Sequence, residues 1–491
     1  FKDIHKNPDY SPVSYETDLY PSIPAEIGPG IQAKFSRRPI VPYESLHPMM
    51  VRIIGSGSNG IGYYMYHGGS TPKFDGTFYN EEVNGIPRIN YDFQAPIGQY
   101  GQVRCHYKHL RMLHMFLEAY SDRLAPMKTV LPETNVEITP ANTDVLRYAV
   151  RSYGDSGFLF VINFQDHVEV KEIKDVAIQV ETGSETISFP SNGTFDIPKA
   201  TSAILPFNLT LDRATVKSAT VQPLTVLHSD NQNYYLFSSV NGMEPELNFS
   251  TEVRISELKN ASVRVAGGIK SVQAKSAAPF TFTANGVNFL IIPEDMAMNA
   301  TKIDDKLFIS DALILEDSNG LQLISRSAEN IVHVFPEGEI KLTDSSASVA
   351  EEKSQVAGFQ AYSVKFEKLE PEVIIEKITS QKYTLEVNTN MAKLNDVFIH
   401  IDYVGDRGLA FINGGMITDH FYQERKWEIG LKSFTSQLKN NKMVLIFHPM
   451  YPDYPYLKDL KSIPEFVDGK YLKVNDFEII PEYKAGIALI Q

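Results

Sequence analysis

With 60 acidic against 46 basic side chains in 491 residues, a net charge of −14 and no long basic run, the chain is a poor partner for nucleic acid or an anionic membrane. Its one cysteine, Cys105, excludes an intrachain disulfide and a zinc ribbon, and no apolar stretch reaches the roughly 18 residues of a membrane span. The length predicts about three domains, and 11% aromatic residues with 28 prolines predict an ordered, turn-rich, β-leaning protein whose substrate is neutral or weakly charged.

The first informative stretch is "YPSIPAEIGPGIQ", a short run around one acid, Glu26, framed by Pro24, Gly28, Pro29 and Gly30. Those flanks cannot continue a helix, which predicts Glu26 at a strand end or tight turn. Next comes "VRIIGSGSNGIGYYMYHGG". Its Gly55, Gly57 and Gly60 fit the G-x-G-x-x-G dinucleotide fingerprint, with Asp75 about 20 residues on. A dinucleotide fold needs a strand before the glycines and a helix opening on them, because the helix N-terminus binds the pyrophosphate. Here the order is reversed. Pro48 suits a first helical turn, Met50, Ile53 and Ile54 share a face, and Gly55 and Gly57 end the helix. "GIGYYMYHGG" then alternates as a strand with Tyr64 and Tyr66 on one face, so the prediction is helix, glycine stop, strand. A strand after a helix, ending in His67-Gly68-Gly69-Ser70, suits the last strand of an (α/β) barrel, where active-site residues sit at strand C-termini.

A strong helix is predicted over about 102–122, with Val103, Tyr107, Leu110, Leu113, Leu117 and Tyr120 forming one apolar stripe. Cys105, His106, His109 and His114 lie on it at ligand-like spacing, but packing on a barrel explains them more simply and no metal is expected. After the linker "APMKTVLPETNVEITPANTD", the runs "VLRYAVRS", "GFLFVINF", "KDVAIQVE" and "QNYYLFSSV" read as antiparallel strands of one or two β-sandwiches. A boundary is predicted within 365–385, where charge concentrates. Beyond it "DVFIHIDYVGD" and "MVLIFHP" are again strand-like, and the only tryptophan, Trp427, is expected to be packed inside a sandwich. Asp402, Asp406 and Asp419 lack EF-hand spacing and are expected to be β-turn acids. The domains expected are therefore 1–125, 126–375 and 376–491.

The motifs "IGYYMYHGGSTP", "INYDFQAPIGQYGQ", the helix "HYKHLRMLHMFLEAYSDRLAPM" and the acid in "PAEIGPGIQ" together resemble glycoside hydrolase family 35, the β-galactosidase family, in its bacterial form. "LRYAVRSYGDSGFLFVINFQ" looks like the β-domain that follows the family's barrel, and "VFIHIDYVGDRGLAFINGGMITDHFYQERKWEIGL" is similar to its galactose-binding-like jelly roll. The resemblance implies a multidomain chain: the C-terminal part of a catalytic (β/α)8 barrel over 1–125, a β-sandwich region over 126–375 and a jelly roll over 376–491. It implies Glu26 as catalytic nucleophile on barrel strand seven and Tyr91 as a contact to the galactosyl unit. His67 and Tyr66 are the further substrate-binding candidates, with Tyr64 beside Tyr66.

The implied activity is a retaining exo-glycosidase for terminal β-galactosides, acting on an oligosaccharide or polysaccharide in a bacterial periplasm or outside the cell. No cofactor or metal is expected. One departure stands out: the family's acid/base glutamate has no counterpart, and Glu81 and Glu82 in "FYNEEVNG" are the weak local substitutes. Retaining hydrolysis needs two carboxyls about 5 Å apart. A full barrel takes about 250 residues, whereas 25 precede Glu26. The expectation is thus a barrel segment missing from the N-terminal side and a chain inactive alone. The competing reading is a non-catalytic carbohydrate-binding β-sandwich protein with a barrel remnant.

Overall fold

The computed structural model describes residues 1–3, 16, 19–74, 77–78, 85–354, 356 and 358–490. Helix α1 (Leu46–Gly55) buries Met50 and Ile54 of the predicted face together with Leu46 and Val51, while Ile53 is half-buried. It stops where predicted. The amide of Ser56 bonds back to Arg52 and Ile53, and Gly57 takes φ +111°, a conformation that a side chain would strain. Glycines follow the helix rather than introduce it, and the next helix is α2 (Cys105–Leu124).

Helix α2 buries a broader face than the single predicted stripe. Leu110, Leu113, Phe116, Tyr120 and Leu124 enter one core with α1, while Met112 and Met115 enter a second core with Leu224, Leu236 and Leu290. Val103 lies before the helix and is exposed, and Tyr107 and Leu117 are half-buried. A helix wedged between two cores must bury two stripes, and a one-stripe reading finds only part of each.

Most of the rest is antiparallel sheet. An eight-stranded sheet runs, in spatial order, 261–266, 269–274, 246–250, 214–219, 201–211, 156–163, 147–153 and 128–130. A five-stranded sheet (222–229, 232–238, 287–292, 280–284, 255–259) shares its core, where Phe282 and Phe289 stack at 4.8 Å beside Phe249 and Leu209. The four runs read as strands form Arg147–Tyr153, Ser156–Asn163, the pair Ile173–Val176 and Ile178–Glu181, and Gln232–Ser238.

The last large core is built from three further sheets. One of them holds Asp396–Val404 and Trp427–Gly430 next to the long strand Lys473–Ile490, and faces a sheet containing Arg407–Ile412, Gly415–Phe421 and Met443–His448. Lys473–Ile490 also pairs with Gly320–Ser325 and Glu339–Leu342. The terminal stretch therefore completes a sheet begun before position 375, a long-range pairing that a local shift in charge does not reveal. Trp427 is 1% exposed and stacked on His420 at 5.8 Å, packed inside as expected.

Candidate active site

Glu26 sits on a short extended segment laid parallel to the run after the glycine stop. The Gly62 amide donates to Pro24 O at 2.9 Å, the Ile27 amide to Gly62 O at 2.8 Å, and the Tyr64 amide to Ile27 O at 3.1 Å. These bonds pair Ile27 with Tyr63 in parallel register. The approach requires glycine at 62, since a Cβ there would lie 2.4 Å from Ala25 O. Glu26 is exposed, and its carboxylate has no hydrogen bond or ion pair with another described residue.

The run after Tyr63 bends at Tyr64 and again at Tyr66, so strand alternation fails there. Tyr64 and Tyr66 consequently do not share a face, contrary to the sequence reading. Tyr64 turns to the loop at 91–93: its hydroxyl lies 2.5 Å from the Tyr91 hydroxyl, and its ring meets Phe93 edge-on at 5.4 Å. Tyr66 joins Tyr63, Tyr107 and His114, packing toward α2, and burial pushes its phenol well above the ordinary range. Of the two, Tyr64 is the one grouped with Tyr91. His67 is exposed, its Nδ1 engaged by the adjacent Gly68 carbonyl, and it pairs in parallel with Ile97.

Tyr91 is positioned by a braced loop. Asn90–Tyr91 pairs with Gly69–Ser70, placing Tyr91 opposite Gly69. Phe93 and Gln94 both take left-handed backbone, φ 58° and 55°, which a side chain tolerates only where its surroundings impose it. Asp92 imposes it. Its carboxylate accepts from the Gln94 amide (2.9 Å), the Gln99 amide (2.8 Å) and the Arg104 guanidinium (3.0 Å).

The same loop is anchored on the last sheets. Asp419 accepts from the backbone amides of Arg88, Ile89 and Asn90 at 2.6, 2.9 and 3.0 Å, and burial raises its pKa despite those bonds. Glu428 contacts His400 at 2.9 Å and Arg104 at 3.4 Å. Although burial pushes its carboxyl up, these partners hold it down at about 2. Arg38 pairs with Asp406 in the interior. Asp406 does lie in a turn, between Asp396–Val404 and Arg407–Ile412, whereas Asp419 lies within the strand Gly415–Phe421, and both are buried anchors of the candidate site's loops. Their partners lie more than 300 positions away, and no local signal in the sequence points to them.

The four ligand-like residues of α2 take packing positions. His106 stacks on Tyr43 at 4.3 Å, His109 on His47 at 5.3 Å, and His114 bonds the Tyr63 hydroxyl, while Cys105 is exposed. Glu81, Glu82 and Asp75 lie outside the described residues.

An exposed acid on an extended segment, backbone-paired to the run that leads to the Tyr64–Tyr91 hydroxyl pair and Phe93, supplies group types that suit sugar chemistry: a carboxylate for an anomeric centre, aromatic faces and hydroxyls for a ring. No protein-family model matches it. Over 189 residues it is 29% identical to Beta-galactosidase 8 of Arabidopsis thaliana, a match covering 37% of this chain and 18% of the relative. The likeness supports a β-galactosidase-like relationship and a glycoside-hydrolase-like kind of protein.

Proposed function

We propose that the protein is a retaining exo-glycosidase for terminal β-galactosides or related glycans, with Glu26 as its nucleophile. The observation that carries this reading is the parallel pairing of Ile27 with Tyr63, which brings the segment of the exposed Glu26 alongside the run that leads into Tyr64, whose hydroxyl meets that of Tyr91. On this reading 24–27 and 62–67 are the last two strands of a (β/α)8 barrel, with α1 and α2 as its outer helices and residues 376–491 as the main part of a jelly roll. The setting proposed is a bacterial periplasm or cell exterior, where oligosaccharides or polysaccharides are degraded.

The Glu26 carboxylate attacks the anomeric carbon, and the bond to the leaving oxygen breaks as a second carboxylic acid protonates that oxygen. Water, deprotonated by the same second group, then displaces Glu26 and releases the sugar. Tyr91 and Tyr64 present hydroxyls to the galactosyl unit and Phe93 an apolar face. Glu26→Gln in the full-length protein tests the reading: galactoside hydrolysis falls by several orders of magnitude while sugar affinity and folding persist. A variant that hydrolyses galactosides at the native rate removes Glu26 from catalysis, whereas native full-length protein that binds galactosides without hydrolysing them favours a carbohydrate-binding protein.

A further inference from the structure

A cavity of about 330 Å³ lies between the 90–104 loop and the strand carrying Trp427. That is the lower end of the range for small-molecule sites. Apart from His400 Nε2, which lies 2.9 Å from Glu428, four of its lining side chains hold a buried polar atom with no hydrogen-bond partner among the described residues: Gln99 Oε1, Gln423 Oε1, Arg425 Nη1 and Trp427 Nε1. Gln99 and Trp427 are 9% and 1% exposed. Leaving such groups unpaired in a buried site is unfavourable, so a cluster of four around one space is a signal of something bound there.

All four side chains line the cavity. The six-membered ring of Trp427 covers Gly408, where a Cβ would lie 2.6 Å from Cζ3, so Nε1 lies on the indole edge away from Gly408. Gln99 spends its amide nitrogen on Ser70 Oγ at 2.8 Å, which leaves its oxygen as the open atom. Arg425 donates Nη2 to Val41 O at 2.6 Å and lies over the Tyr43 ring at 4.0 Å, with Nη1 unspent.

Two free donors and two free acceptors define a ligand by complement. The donors, one of them on a guanidinium, suit an oxyanion. The acceptors suit hydroxyls. Charge agrees: Arg104 and Arg326 are taken up by Asp92, Glu428 and Glu482, and Lys426 by Glu478, whereas Arg425 has no ion pair among the described residues. We propose that this cavity binds a small hydroxylated carboxylate, a sugar acid of monosaccharide size, with its carboxylate on Arg425 and Trp427 and its hydroxyls on Gln99 and Gln423. Phe93 lines the cavity and also meets Tyr64, so an occupant would brace the loop that carries Tyr91.

Trp427 is the only tryptophan of these 491 residues, and its signal is taken as the difference between the full-length protein and its Trp427→Phe variant. Its fluorescence is titrated in the full-length protein with galacturonate, galactose and acetate at fixed ionic strength. Galacturonate is expected to give a saturable change, whereas galactose and acetate give none over the same range. Arg425→Gln and, as a separately folding check, Gln423→Glu each weaken galacturonate at least 10-fold. Glu26→Gln leaves it unchanged, so the result is independent of the proposed hydrolysis. No saturable response means that the cavity holds water alone and overturns the proposal. A response to acetate equal to that of galacturonate removes the hydroxyl recognition, and an equal response to galactose removes the anion recognition.

Discussion

Arg38 and Asp406, 368 positions apart, form an ion pair at 2.8 Å in which the two side chains are 0% and 1% exposed. The guanidinium also donates to the carbonyls of Lys34, Asp406 and Tyr422, and the Phe421 and Tyr456 rings lie 4.6 and 4.0 Å from it. Its demands are thus met from both ends of the sequence, and the stretch that follows Glu26 is tied to the last sheets. Removing one partner strands the other as a buried charge. Arg38→Met or Asp406→Asn alone is expected to cost about 3–5 kcal/mol in urea unfolding, and the double replacement less than the sum. Single variants costing under about 1 kcal/mol would contradict the anchoring role.

Acid should destabilise the protein through buried neutral histidines. Burial lowers His47 and His420 to about 3, with the neighbouring His109 and Arg38 adding to the effect on each respectively. Below pH 6.5 the unfolded chain binds protons that the folded one refuses, so stability falls with pH from that point down to about 3. The slope is about 1.4 kcal/mol per histidine per pH unit. Asp396, raised to about 6 by burial, works oppositely between 3.8 and 6, where the folded state binds the extra proton. Two histidines against one aspartate leave a net loss, read as a lower Tm at pH 5 than at pH 7. His47→Asn and His420→Asn should each flatten the dependence, and an unchanged profile in both would refute the assignment.

The glycine run should not bind nucleotides. Since α1 precedes Gly55–Gly60 and the amide of Ser56 closes the helix end, no helix N-terminus is offered to a pyrophosphate. NAD at millimolar concentration is expected to leave Tm unchanged. A dose-dependent rise would show a native-state complex and contradict this account.

What the sequence disclosed was local. The end of α1, the strand runs of 147–163 and the burial of Trp427 depend on spacing within a few residues, and each is found where the pattern puts it. The candidate site was legible only as far as Glu26 and Tyr91. Tyr66 was read beside Tyr64 on the assumption of unbroken alternation, which two bends remove. Phe93 and the bracing by Asp92, Arg104, Asp406 and Asp419 rest on contacts across loops or across 300 residues, with no periodic signature.

The two tyrosines separate these readings experimentally. Tyr91→Phe deletes a hydroxyl 2.5 Å from that of Tyr64, and is expected to lower kcat/KM for a nitrophenyl β-galactoside about 10- to 100-fold with Tm nearly unchanged. Tyr66→Phe, in the α2-facing group, should stay within about 2-fold. Equal losses in the two variants would place Tyr66 at the substrate and undo the correction.

The central claim is that Glu26 is the nucleophile, and covalent trapping tests it most directly. A 2-deoxy-2-fluoro-β-galactosyl donor with a good leaving group forms its glycosyl-enzyme without needing a protonated acid, and the fluorine slows the water step by destabilising the oxocarbenium-like transition state. After incubation of the full-length protein, peptide mass spectrometry should find one fluorogalactosyl unit on the peptide containing Glu26, absent from Glu26→Gln. A fluorogalactosyl ester on any other carboxylate, with Glu26 unmodified, would contradict the account.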